Sequence, residues 1–192
     1  MYYRQRPTGL DPLLTIITVT VAIYLVSIFT PQIISSFGLQ PASFLERPWT
    51  LVTHMFIHGD IFHIMFNMLA LYFFGGYLLR LVSNRDFLII YFGGGIIGGL
   101  VYVLLGTLGN PLVIAIGASG AVFALGGSLA ILTPNIRVYI IPIPVPLPLW
   151  VAVIGGFAIL SFLPGIAWQG HLGGLLFGLG AGYLIRNRRR YY

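Results

Sequence analysis

Residues 61–79 read IFHIMFNMLALYFFGGYLL. The run is close to the ~20 apolar residues that a helix needs to cross the hydrocarbon core of a bilayer. It also holds His63 and Asn67, four residues apart and so on one face of a helix. The apolar length predicts a membrane span. Polar and ionisable groups inside a span predict function, because lipid makes them costly to keep.

Working outward, five further stretches have the same character: 13–30, 87–105, 112–132, 148–163 and 168–185. Of the 192 residues, 58% are hydrophobic and 7% are charged. A soluble domain carries about a quarter charged residues, so this chain has too few to coat a water-exposed surface. The expectation is an all-α membrane protein with six transmembrane helices forming one domain over 1–192. The absence of cysteine excludes disulfides, thiol catalysis and thiolate metal sites.

Six spans put both termini on one side of the membrane. That side would carry Arg4, Arg6, Arg80, Arg85, Arg137, Arg186, Arg188, Arg189 and Arg190, against Arg47 alone on the other. The positive-inside rule then predicts a multi-pass protein of the cell membrane with cytoplasmic termini. The basic tail reads as a topology anchor beside anionic headgroups, not as a nucleic-acid surface. Residues 31–60 form a long first external loop whose Phe37, Leu39, Phe44, Leu45 and Trp49 predict partial insertion into the interface. Pro142, Pro144, Pro146 and Pro148 alternate, which forbids helix and favours extended chain. The fifth span is therefore expected to start late, at Pro148, and to stop before Pro164. That makes it the shortest and least firmly held of the six.

The polar residues converge. The second, fourth and sixth spans all run from outside to inside. His63 and Asn67 lie in the first two turns of the second, Ser119 about two turns into the fourth, and His171 about one turn into the sixth. At ~1.5 Å rise per residue all four reach similar depth in the outer half of the bilayer. His171 shares a face with Gly174 and Gly178, and Ser119 with Gly126, Ala130 lying one turn further. Small-residue stripes let helices approach closely, which would bring the hydroxyl and the imidazole together at their outer ends.

A serine hydroxyl needs a base to become a nucleophile, and His171 is the candidate. The four acidic residues, Asp11, Glu46, Asp60 and Asp86, all lie outside the spans. The prediction is thus a Ser119–His171 dyad without a carboxylate. Attack on an amide creates an oxyanion that needs fixed donors. The Asn67 amide, an imidazole N–H of His63 and the Ser119 backbone N–H are suitable. Gly117 and Gly120 would let a substrate backbone come close.

The motifs HIMFN at 63–67, IGASG at 116–120 and GHLGGLLFG at 170–178 resemble those of the rhomboid family of intramembrane serine proteases, and the resemblance covers essentially the whole chain as the minimal six-helix core. It implies Ser119 as nucleophile, His171 as base, and His63 and Asn67 around the oxyanion. It implies single-pass membrane proteins as substrates, entering beside the fifth helix and cut near the external surface, with water reaching the dyad from outside. No cofactor or metal is implied. Members often carry Trp-Arg in the first external loop, where this chain has Trp49-Thr50 with Arg47 upstream. A tyrosine often stacks on the catalytic histidine; Phe123 takes that place and counts, with Gly117 and Gly120, among the expected substrate-binding residues. Gly170 stands where alanine often precedes the histidine.

Rival readings are a rhomboid-like protein that binds transmembrane segments without cutting them, and a small transporter or channel. The first should have lost Ser119 or His171. The second would need polar groups along the whole path, whereas the inner halves of the spans are apolar and glycine-rich. His54, His58 and His63 superficially suggest a metal cluster, but no carboxylate joins them on a helix. Solvent-facing or loop-packing roles are expected for His54 and His58. Gly93, Gly95 and Gly98 spell GxGxxG inside an apolar span, with no acid beyond Asp86 to hold a ribose, and so read as helix packing.

Overall fold

A computed structural model describes residues 11–139, 144–161, 163 and 165–188. Arg4, Arg6, Arg189, Arg190, Pro142 and Pro164 lie outside these. Among the described residues there are eight α-helices: α1 (Pro12–Phe29), α2 (Gln32–Phe37), α3 (Thr50–Thr53), α4 (Ile61–Leu78), α5 (Asn84–Gly106), α6 (Ser119–Leu132), α7 (Leu149–Ser161) and α8 (Trp168–Arg188). A two-residue antiparallel pair, β1 (Arg137–Val138) with β2 (Leu147–Pro148), leads into α7.

The helix starts are written in the sequence. Asp11 accepts from the Leu13 N–H at 3.0 Å, with Pro12 in the first turn of α1. Asp60 accepts from the His63 N–H at 2.9 Å and starts α4. Ser83 takes the Asp86 N–H and donates to the Asp86 carboxylate, which starts α5. Two of the four acidic residues, Asp11 and Asp60, thus satisfy free N–H groups at helix N-termini, and Ser83 does the same for α5.

α1, α4 and α5 are long and apolar enough to cross a membrane, and α6 and α7 are shorter apolar helices. The apolar surface points outward as well as inward. Phe62, Phe66, Leu69 and Phe73 make an exposed stripe along α4, and Leu14, Leu25, Val26 and Phe29 lie exposed on α1. A protein in water rarely shows so large an apolar exterior. The chain is an all-helical membrane protein.

α6 sits among α4, α5, α7 and α8. Glycine sets the spacing there. A Cβ at Gly174 would overlap Gly120, and one at Gly178 would overlap the Ala124 backbone. A Cβ at Gly182 would lie 2.7 Å from the Ser128 carbonyl oxygen. The Ser128 hydroxyl donates to the Gly178 carbonyl at 2.8 Å across the same interface. The stripe on α6 is therefore Gly120–Ala124–Ser128 rather than the expected face of Gly126 and Ala130; Gly126 instead faces Phe74 and Val153. The glycines of α5 are packing residues as expected: Gly93 meets Phe177, Gly95 meets Met55, and Gly98 meets the Gly170 carbonyl.

Two expectations need correction. The helix expected over 112–132 occupies only Ser119–Leu132. Residue Ala115 instead exchanges both backbone hydrogen bonds with Leu39, at 2.9 and 2.8 Å, and Gly117 turns the chain with φ +111°. A strand-like pairing and a positive φ cannot continue a helix, so apolar composition misplaced its start. Residues 31–60 are also more ordered than expected. They form α2, α3 and two 3-10 turns. The Arg47 guanidinium donates to the Ser35 carbonyl, the Trp49 indole to Ser36 and the Thr53 hydroxyl to Phe37. Leu39, Met55 and Ile57 are buried, while Leu45 and Trp49 face outward.

Candidate active site

Ser119 is the first residue of α6, not two turns into it, and His171 is the fourth residue of α8. The close α6–α8 packing brings His171 Nε2 to 2.7 Å from Ser119 Oγ. With the ring protonated at Nδ1, the hydroxyl donates to Nε2, the arrangement in which the imidazole acts as base. His171 Nδ1 is buried with no hydrogen-bond partner among the described residues, so no carboxylate orients the ring. Packing does so instead. The Phe123 ring lies 4.8 Å from the imidazole, tilted by 37°, and Phe157 of α7 meets Phe123 edge-on at 5.9 Å.

His63 stands in the first turn of α4, and its ring fills the space beside Gly117. A Cβ there would fall 2.8 Å from its Cε1. Asn67 is buried one turn on, its amide donating to the His63 carbonyl at 2.9 Å. His63, Asn67, Ser119 and His171 all line one cleft of about 790 Å³. Three helix N-terminal regions therefore deliver these groups to one level. A second cavity of about 20 Å³ adjoins Ser119, His171, Gly120 and Gly170. That is room for one water molecule.

Gly117 and Gly120 both have roles in the fold itself. Gly117 provides the positive φ and admits the His63 ring. Gly120 lies against the Gly170 carbonyl and Gly174, where it lets α8 approach α6. Sequence reasoning also missed how His54 and His58 serve the site. Both are buried, which overturns the solvent-facing alternative for them. His54 Nδ1–H donates to the Thr50 carbonyl at 2.9 Å, while the His54 carbonyl accepts from the Gly117 N–H at 2.9 Å. His58 Nε2 accepts from the Ala118 N–H at 3.4 Å, and its ring packs edge-on against His63 at 4.9 Å. The backbone just before Ser119 is thus held by the loop histidines. Burial pushes both below the ordinary 6.5, His54 to about 4 and His58 to about 3. The available signal was three closely spaced histidines, His54, His58 and His63, in a largely apolar segment.

The rhomboid-domain family model matches residues 45–188, and the chain belongs to the rhomboid family. It is 30% identical over 146 residues to Rhomboid protease GluP of Bacillus subtilis, covering 74% of this chain and 27% of that protein. It is 34% identical over 154 residues to RHOMBOID-like protein 4 of Arabidopsis thaliana, covering 76% and 36%. It is 24% identical over 161 residues to mitochondrial Rhomboid protein 1 of Saccharomyces cerevisiae, covering 80% and 46%. The chain therefore spans less than half the length of each of these relatives.

Proposed function

We propose that the protein is an intramembrane serine endopeptidase. The observation that carries this reading is the 2.7 Å approach of His171 Nε2 to Ser119 Oγ beside a cleft in an apolar bundle. Ser119 attacks the scissile carbonyl as His171 takes its proton. The oxyanion is met by the Ser119 N–H, the His63 ring and the Asn67 amide, which would turn from the His63 carbonyl to do so. His171 then returns the proton to the leaving amine, and a water deprotonated by the same ring hydrolyses the acyl-enzyme.

In this reading α1, α4, α5, α6, α7 and α8 are the six spans, in a cell membrane. Arg80, Arg85, Arg137, Arg186 and Arg188 lie in or next to the helix ends remote from the dyad, which supports cytoplasmic termini and an external catalytic face. Substrates are single-pass transmembrane proteins that reach the cleft beside α7. Naming of relatives such as GluP as proteases supports the activity. The test is labelling with a fluorophosphonate probe in membranes. Labelling of the wild type that disappears in Ser119→Ala is expected. Equal labelling of both, or none in either, removes Ser119 as nucleophile and leaves the non-cutting binder of transmembrane segments as the better reading.

A further inference from the structure

We infer that Asp60 is a specificity-determining residue that favours substrates carrying a lysine or arginine close to the scissile bond; this rests on the protease reading above. Asp60 is the single charged side chain among the residues lining the 790 Å³ cleft, where it stands with His63, Asn67, Ser119 and His171. The other walls are apolar or neutral, including Phe62, Phe66, Ile116 and Trp168. Asp60 is exposed. One of its oxygens takes the His63 N–H. Among the described residues the other oxygen has no hydrogen-bond partner and no arginine pairs with it, the nearby rings being those of His58 and His63.

Starting α4 does not require this charge. Serine, threonine or asparagine would accept the same N–H about as well. What aspartate adds over them is a negative charge facing a cleft with low-dielectric walls, which focus a field more than open water does. A cationic substrate side chain within reach would meet that charge without displacing an existing partner. An acidic one would be repelled. An exposed pair of this kind changes kcat/KM by about two- to fivefold.

The test uses one transmembrane substrate with single Lys, Gln or Glu replacements at each position flanking the cut, cleaved by the wild type, Asp60→Asn and Asp60→Glu. At one or more positions the wild type should rank Lys above Gln above Glu, by about two- to fivefold per step, with the spread narrowing at high salt. Asparagine keeps the helix start and removes the charge, so the ratios should collapse toward one in Asp60→Asn and return in Asp60→Glu. Each ratio is taken within one enzyme, so differences in overall rate cancel. A wild type indifferent to substrate charge, or a preference that survives Asp60→Asn, overturns the assignment while leaving the protease standing. No cleavage of any substrate by the wild type overturns the protease reading and this one with it.

Discussion

α8 and α7 both carry glycines and both border the dyad, yet the glycines do opposite things. In α8, Gly174, Gly178 and Gly182 press on the α6 backbone, where a side chain would overlap it or crowd it. In α7, Gly155 and Gly156 have nothing within 4 Å of where a Cβ would sit. α7 is anchored at one end instead, by buried Leu149 and Val153, the latter against Gly126. The contrast separates a part that must not move from a part that has room to. Ser119 and His171 sit on the close-packed pair, and the looser helix reaches them through Phe157, which meets Phe123 edge-on beside the His171 ring.

The largest expected effect breaks the chemistry and leaves the packing. Ser119→Ala and His171→Ala should each lower cleavage of a transmembrane substrate by roughly 10⁴-fold or more. Thermal unfolding in detergent should stay near wild type. Residual turnover above a few per cent in either variant would end the dyad assignment.

The second prediction sharpens the contrast directly. Gly178→Leu should cost about 3 kcal/mol or more through overpacking against Ala124, read as a lowered Tm with loss of activity. Gly156→Leu should leave Tm unchanged or slightly raised, since leucine favours helix and has space. Equal damage from both would show that α7 is packed as tightly as α8.

The rigid side should also be acid-sensitive. His54 and His58 are held neutral, with folded pKa values of about 4 and about 3 against 6.5 in the unfolded chain. Below pH 6.5 the unfolded chain takes up protons that the folded protein refuses, so stability is full above that pH and falls as pH drops toward 4. The expected loss between pH 7 and 5 is roughly 2 kcal/mol for each histidine. Denaturant unfolding at the two pH values measures it, and His58→Asn should flatten the slope. A pH-independent midpoint in the wild type contradicts the buried neutral histidines.

The smallest effect concerns α7. Val153→Ala removes a buried anchor at a cost of about 1 kcal/mol. If α7 gates access, cleavage should rise a few-fold while labelling of Ser119 by a small probe stays constant. A slower or unchanged rate argues against the gate.

Composition and spacing made the membrane character, the helix order and the group of His63, Asn67, Ser119 and His171 legible before any coordinates. The reason is that lipid tolerates so few polar residues that each one carries information. The starts expected at 13 and 61 fall within one residue of those of α1 and α4, which Asp11 and Asp60 cap, while α5 begins three residues before the expected 87, at the Ser83 cap. The start of α6 was not legible, because no side-chain cap marks it and the preceding residues are as apolar as a span. Only the tertiary structure moved Ser119 to the first position of its helix, by pairing Ala115 with Leu39 and turning the chain at Gly117. It also placed Gly120 in the α6–α8 contact and gave His54 and His58 the support of the 117–118 backbone. Those choices depend on contacts between residues far apart in the chain. The sequence on its own determined which groups meet at one end of the helices; the fold decided how closely they approach and what holds them there.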